Sequence, residues 1–534
     1  MIFKSKYPDI KIPQVGIYQY VTSNPNKIPD DKVIYVDGVT DRSYTFGEFK
    51  HESKKFAAGL QDQLEFKRGD VLAIFSPNQV DYPIAVLGTI AAGGKVTTAN
   101  PKYEATDLSY QLTDSGASVL IVHPEILEVA IEASINVKIP ASRILLFGDK
   151  EIKGYKPYRS VLINDREIEP IHYTPEEAKS TTAYLVYSSG TTGKPKGIEI
   201  THTNMAVILT QTLTVENKLG PHSIIMGTGG LCHITGMDRI IHTTLIRGAT
   251  TIIHPDSSVE TICELIQKFK ITFIYTDPTI ILKLVNDPLA QQFDISSVDM
   301  IISGAAPLSD KLERKFYEMF KIPILQGYGL TETGAVLLCP DTSVPGSVGI
   351  LTPNMKAKLL SDNGHELGYN EPGELWIHCP SIMKSYLNNK EATEAAFDKD
   401  GFFCTGDIVY VDEQENFFVI DRKKEMIKGQ DFDVAPSELE SILLTHEVVS
   451  DAAVIGYYSE KEATEIPAAY VTIKNGHKQS QSLAEEIQSF VDEKVLPYKR
   501  LRGGIMFIDR IPKNASGKIL RRLLKEKLKN DIKE

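Results

Sequence analysis

The chain is short of cysteine, of positive charge and of long apolar runs, and each shortage removes a class of function. Five cysteines (Cys232, Cys263, Cys339, Cys379, Cys404) are scattered, odd in number and never spaced as CxxC. They offer neither a disulfide framework nor a zinc site and fit a reducing compartment. A formal net charge of −12 argues against general attraction to nucleic acid or to an anionic membrane, so any cationic pocket must be local. The most apolar stretch, residues 83–92, is too short to span a bilayer and ends at Gly93-Gly94, so no stable membrane insertion is expected. The opening residues are interrupted by charges and lack the apolar core of a secretion signal. The last four, Asp531-Ile532-Lys533-Glu534, are not a Ser-Lys-Leu address. A cytoplasmic location is expected.

What is present is the composition of a globular protein, 42% hydrophobic and 24% charged, at a length of 534 residues that calls for two or more domains. Between about residues 70 and 330, apolar β-rich runs alternate with helical patterns. Val71–Phe75 reads as a buried strand, Val80–Ala92 as a helix and Lys95–Thr98 as the next strand. The rhythm continues through Ala117–Val122, Ile144–Phe147, Thr250–Ile253, Thr272–Tyr275, Met300–Ser303 and Ile324–Gln326. Strands without polar alternation, separated by helices, predict parallel sheets covered on both faces. After residue 340, turn signals such as Asp362-Asn363-Gly364 and Glu371-Pro372-Gly373 separate short strands, which predicts a β-rich subdomain. A charged stretch, Asp421-Arg422-Lys423-Lys424, then precedes a compact mixed pattern of helices and strands. The expected fold is α/β. A large domain (1–420) holds two mostly parallel, helix-covered sheets plus the β-rich subdomain. A small, mobile α+β carboxy-terminal domain (421–534) follows, hinged at 421–424.

The segment from Ser188 through Ser189, Gly190, Thr191, Thr192, Gly193, Lys194 and Lys196 to Gly197 leaves a strand into hydroxyls, glycines and lysines. Glycines let backbone N–H groups turn inward into an anion-binding concavity, hydroxyls add donors and lysines add charge. These are the parts needed to hold a polyphosphate. The spacing excludes a P-loop NTPase: five residues after Gly190 stands Pro195 where that motif needs glycine.

This loop resembles the signature of the adenylate-forming superfamily, which includes acyl-CoA synthetases, 4-coumarate–CoA ligases and luciferases. Four further blocks agree with that superfamily in order and spacing: Ser303-Gly304-Ala305-Ala306-Pro307, Gln326-Gly327-Tyr328-Gly329-Leu330-Thr331-Glu332, Thr405-Gly406-Asp407, and Pro512-Lys513-Asn514-Ala515-Ser516-Gly517-Lys518. The resemblance implies a two-step ligase. A carboxylate attacks the α-phosphorus of ATP to give an acyl-adenylate, and a thiol, usually that of coenzyme A, then displaces AMP. It further implies that Gly304, Ala305 and Ala306 lie along adenine, that Gln326, Gly327 and Gly329 belong to the nucleotide site, and that Tyr328 stacks on the base. Thr331 would bond the α-phosphate, Glu332 would hold Mg²⁺ and Asp407 would take the ribose hydroxyls. Arg422 and Lys428 match residues near the nucleotide. Lys518 matches the lysine that bridges the acyl carboxylate and the α-phosphate.

His233, in Leu231-Cys232-His233-Ile234-Thr235-Gly236, is similar to the family histidine bordering the acyl site. Thr235, Gly304, Ala335 and Val336 would line the same pocket. Arg239 either meets a second polar group on the substrate or pairs with Asp238. His233 and His242 are a weak match to metal-ligand spacing. Where coumarate ligases carry a Lys-Gly pair associated with coenzyme A, this chain has Gln430-Asp431, and Asp433 replaces the usual glutamine. Two acids near a polyanionic cofactor should weaken its binding. The expected activity is an ATP-dependent carboxylic acid–CoA ligase, using ATP, Mg²⁺ and coenzyme A, for an aryl-propenoate or medium-chain fatty acid. The alternatives are an adenylating enzyme with another acceptor, as in carrier-protein or luciferase chemistry, and a non-catalytic acyl-AMP-binding protein.

Overall fold

The computed structural model describes residues 1–188, 195–340, 344–429, 433–459, 464–514 and 517–531. Among them, two large sheets share one core. In the first, the strands run in the order Ser385–Tyr386, Lys196–Thr201, Thr182–Ser188, Lys95–Ala99, Val71–Phe75, Ala117–Val122 and Ile144–Leu146. The second centres on Ile324–Leu330, Met300–Ser303, Phe273–Thr276, Ile224–Gly227 and Thr250–Ile253 in that order. The central pairings of both are parallel, with antiparallel additions at the edges. Every residue of Val71–Phe75 is buried, as a strand covered on both faces requires.

Helix Tyr82–Ala91 is buried on all sides, which explains why its sequence is apolar all round rather than striped. It lies in the middle layer with Phe46–Leu64 and His202–Val215. Their Val86, Phe56 and Leu209 share one cluster with Leu72 and Val96 of the first sheet and Ile225 and Tyr275 of the second. Striped helices cover the outer faces. Val259–Phe269 and Pro278–Asn286 pack Ile262 and Ile281 on the second sheet, and Ala105–Ser115 packs Leu108 on the first. The β-rich part is a five-stranded sheet in the order Ile2–Lys4, Lys356–Leu360, Gly373–His378, Phe403–Val411 and Phe417–Arg422.

Asp421 and Arg422 end that last strand, and the N–H of Lys423 still donates to Gly406 O (2.9 Å). Beyond this point a three-stranded sheet, Val449–Ser459, Thr464–Ile473 and Ile505–Phe507, carries cores of its own built on Leu439, Val454 and Ile487 and on Ile455, Tyr470 and Ile511. The terminal helix Arg521–Asp531 buries Leu524 and Leu528 in the second of these cores, so its apolar side is spent within its own unit. Among the described residues, no helix is long and apolar enough to cross a membrane.

Several elements escaped the sequence reading, two of them prominent. Strand Val33–Asp37 and helix Phe46–Leu64 precede residue 70, where the β/α rhythm becomes obvious. The helix does carry a local start signal, a capping box in which Thr45 accepts from Glu48 N–H and Glu48 accepts from Thr45 N–H.

Candidate active site

The site forms where parallel strands of both sheets end, the place at which loops from several strands converge on a ligand. Strand Ile324–Leu330 carries Tyr328, half-buried against the core, and its pairing with Gly334–Leu338 slips between Tyr328 and Gly329. At Gly329 a methyl group would lie 2.2 Å from Gly334 O, so the turn that presents Thr331 and Glu332 needs glycine there. Gln326 behaves differently from its neighbours. Its amide accepts from Leu308 N–H (3.3 Å) and donates to Glu313 (3.2 Å), anchoring the adjacent strand end. Gly304 follows Ser303, donates to Thr276 O (3.1 Å) and leaves Ala305 with a φ of 68°. A left-handed alanine is uncommon and clusters at functional turns.

Asp407 joins the parts. Its Oδ2 accepts from Tyr328 Oη (2.5 Å) and its Oδ1 from Arg422 Nε (2.8 Å), because Arg422 pairs directly opposite it in the neighbouring strand. Burial pushes the Asp407 carboxyl up from its ordinary value, while Arg422 and then Tyr328 pull it back. Arg422 itself is held above the usual guanidinium range: burial opposes its charge, and Asp407 together with Tyr328, Glu332 and Glu425 outweighs burial.

Lys518 comes to this cluster from the small unit. Asn514 holds its loop, accepting the Lys518 N–H on Oδ1 (2.9 Å) and donating its own N–H to Lys518 O (2.8 Å). Gly517 has φ 79°, and a methyl group there would lie 3.2 Å from Thr279 Oγ1 and 3.3 Å from Asp277 Oδ1. The loop therefore sits directly against the start of helix Pro278–Asn286 of the large part. Burial, then the charge of Arg422, pull the Lys518 ammonium down to about 8, with Asp407 opposing.

On the phosphate side, Ser188 pairs with Lys196 across the hairpin, and Lys196 Nζ lies 5.0 Å from the centre of the Tyr386 ring. Ser189, Gly190, Thr191, Thr192 and Gly193 lie outside the described residues, as do Gln430 and Asp431. Glu332 accepts from Tyr386 Oη (3.1 Å), and burial pushes its carboxyl up. A half-buried carboxylate is a hard oxygen donor and fits a Mg²⁺ ion bound together with phosphate oxygens. Among the described residues, no cluster of three or more histidines, cysteines or acids forms a protein-only metal site.

On the acyl side, His233 is half-buried, and its Nε2 has no hydrogen-bond partner among the described residues. Thr235 is exposed and precedes a π-helix, Gly236–His242. Arg239 lies in that helix and pairs with Asp238 rather than facing a substrate. Its guanidinium is 2.5 Å from Glu216 and 3.2 Å from Asp238 and lies over the Tyr275 ring, while Arg247 and Tyr275 Oη also reach Glu216. Val336 is sealed in the core, whereas its neighbour Ala335 keeps some accessible surface, because strand residues alternate faces. His242 meets Tyr184 Oη (2.5 Å), and burial drives its pKa down to about 3, so it is a neutral core residue. Lys428 is exposed and ion-paired with Asp433.

Residues 21–387 match the family described as AMP-binding enzyme, and residues 438–518 match its C-terminal domain. The chain belongs to the AMP-binding enzyme family. This AMP-binding enzyme is 35% identical over 540 residues to 4-coumarate–CoA ligase 3 of Arabidopsis thaliana, covering 99% of the chain and 94% of the relative. It is 36% identical to the 4-coumarate–CoA ligase of Pinus taeda, covering 99% of the chain and 98% of the relative. Among solved structures, an anthranilate CoA ligase in complex with anthranoyl-AMP superposes with a TM-score of 0.90 at 25% identity, covering 98% of this chain and 100% of that one. The o-succinylbenzoate CoA synthetase of Bacillus subtilis with AMP gives 0.79 at 26% identity, covering 95% and 98%.

The site residue that sequence reading missed is Tyr386. The short segment Lys384-Ser385-Tyr386 carries no local signal, and its place follows from its pairing with Lys196–Thr201.

Proposed function

We propose that this AMP-binding enzyme is an ATP-dependent carboxylic acid–CoA ligase for a monocarboxylic acid with an apolar body, such as an aryl-propenoate or a medium-chain fatty acid. The observation that carries this reading is that the Lys518 loop lies against the start of helix Pro278–Asn286 of the large part, close enough for the charges of Arg422 and Asp407 to act on the Lys518 ammonium. A free carboxylate resists nucleophiles because oxide is a poor leaving group. Attack of the carboxylate oxygen on the α-phosphorus of ATP expels pyrophosphate and turns that oxygen into part of an AMP leaving group. The thiol of coenzyme A then attacks the acyl carbon, and AMP departs.

Lys518 contributes a positive charge where two anions must approach, the electrostatic stabilisation that is commonly worth about 10²–10³ in rate. Its pKa near 8 belongs to the nucleotide-free protein, and a bound triphosphate would raise it and keep the ammonium charged. Asp407 presents two oxygens to the ribose hydroxyls, and Arg422 and Tyr328 hold it for that task. His233, with a free ring nitrogen, borders the acyl carboxylate. Glu332 would hold Mg²⁺, whose chemistry is to neutralise charge on the phosphate oxygens.

Arg239 supports the monocarboxylate reading. It is committed to Glu216 and Asp238, so no guanidinium from this helix is left to pair with a second acid group on the substrate. The chain division at 421–424 supports a two-orientation cycle, in which the small unit docks Lys518 for adenylation and turns away for thioester formation. The cytoplasm is the proposed compartment, consistent with five free cysteines. The test is thioester formation from ATP, coenzyme A and a panel of acids. Monocarboxylic aryl-propenoates and medium-chain acids should turn over, and dicarboxylates of the same size should be at least about tenfold poorer. A preference for dicarboxylates would overturn the assignment.

A further inference from the structure

Tyr386 links two parts of the site that come from different sheets. It lies on the short strand Ser385–Tyr386, which pairs antiparallel with the strand returning from the phosphate loop, Tyr386 opposite Ile198 and Ser385 opposite Glu199. The strand is fastened at several points. Glu199 accepts from Ser385 Oγ (2.5 Å) and Thr182 Oγ1 (2.7 Å), Leu387 N–H donates to Gly197 O (2.8 Å), and Thr393 Oγ1 accepts from Tyr386 N–H (3.0 Å). On its other side, Met383 N–H donates to Glu332 O (2.7 Å), so the same segment grips the backbone of the Thr331-Glu332 turn. The Tyr386 side chain repeats this connection, with its hydroxyl 3.1 Å from Glu332 Oε1 and its ring centre 5.0 Å from Lys196 Nζ.

We propose that Tyr386 is a positioning residue that fixes the metal-binding carboxylate of Glu332 through its hydroxyl and the phosphate-loop lysine Lys196 through its ring. The inference rests on the reading of Glu332 as the residue that carries the divalent ion. A carboxylate ligand free to rotate loses affinity, and a hydrogen bond on one oxygen leaves the other aimed. Loss of such an outer partner typically weakens metal binding by about 10–100-fold. The aromatic face does the equivalent for Lys196, setting its ammonium by cation–π attraction without neutralising it.

The experiment uses the full chain, with Mn²⁺ as the probe and a non-hydrolysable ATP analogue, and reads bound Mn²⁺ by electron paramagnetic resonance. Tyr386→Phe keeps the ring and should weaken Mn²⁺ binding in the ternary complex about tenfold. Metal-free binding of AMP and the thermal midpoint should stay near those of the unmodified protein. Glu332→Gln should lower Mn²⁺ affinity further, and adding Tyr386→Phe to it should change nothing more, because the hydroxyl acts through that carboxylate. Tyr386→Leu should weaken analogue binding beyond Tyr386→Phe, through loss of the ring against Lys196. Unchanged Mn²⁺ affinity in Tyr386→Phe, or an equal loss on the Glu332→Gln background, would overturn the proposal for Tyr386. Unchanged affinity in Glu332→Gln would instead overturn the reading of Glu332, and this proposal with it.

Discussion

At the scale of the residue, Lys518 shows how burial and charge set a functional group. Its ammonium is drawn down to about 8 by the desolvation of its loop and by Arg422, so in the free enzyme it loses its proton near the upper physiological range. The role proposed for Lys518 in adenylation needs the charged form. The rate constant kcat/KM for ATP, which reports on free enzyme, should therefore be level below neutrality and fall as pH rises through about 8. Lys518→Arg stays charged across that range and should lose the pH-dependent fall, at a lower overall rate, because a planar guanidinium does not replace a compact point charge. A fall that persists unchanged in the arginine variant would assign the titration to another group. Lys518 was legible in the sequence because Asn514 through Gly517 stand before it. Its partners Asp407 and Arg422 were legible only as separate motifs, since strand register and not spacing brings them within 2.8 Å.

At the scale of the element, the π-helix Gly236–His242 shows where sequence reading stops. Asp238-Arg239 reads equally well as a substrate contact and as an internal pair, because a linear sequence cannot say that Glu216, at the end of a different helix, is waiting to bind the arginine. The buried network has a cost that can be measured. Burial pushes the Asp238 carboxyl up to about 6, with Arg239 opposing, while one carboxylate oxygen accepts from Thr212 Oγ1 (3.2 Å). A carboxyl raised on folding holds more protons in the folded than in the unfolded chain between about pH 4 and 6, so its contribution to stability declines as pH rises across that window. Asp238→Asn keeps the Thr212 bond and removes the ionisation. It should stabilise the protein at neutral pH, on the order of 1–2 kcal/mol, with the gain vanishing toward pH 4. Denaturant midpoints at the two pH values check this. Equal effects at both would show that the charge of Asp238 is not penalised. The strands, by contrast, were read almost residue for residue from apolar runs such as Val71–Phe75 and Met300–Ser303, because burial on both faces leaves no alternation to misread.

At the scale of the whole molecule, the large part is proposed to hold the nucleotide and the small part to deliver Lys518. The break between them was legible as the charged run 421–424, although Asp421 and Arg422 still belong to the five-stranded sheet. What the sequence marks but the fold does not describe is the acceptor side. If Gln430-Asp431 meets coenzyme A as the family resemblance implies, Gln430→Lys combined with Asp431→Gly removes an acid and adds a cation beside that polyanion, so the KM for coenzyme A should drop, by about threefold or more, while adenylation is unaffected. An unchanged KM would place the coenzyme A contact elsewhere.

The central claim is that the chain adenylates a carboxylic acid with Lys518 docked on the Asp407 cluster. Acid-dependent exchange of labelled pyrophosphate into ATP measures that step alone. The unmodified chain should exchange in the presence of an accepted acid and not without one. Lys518→Ala should lose exchange by about 10²–10³ while still converting supplied acyl-AMP and coenzyme A to thioester. Absence of exchange with every acid despite bound ATP, or equal loss of both half-reactions in Lys518→Ala, would contradict the account.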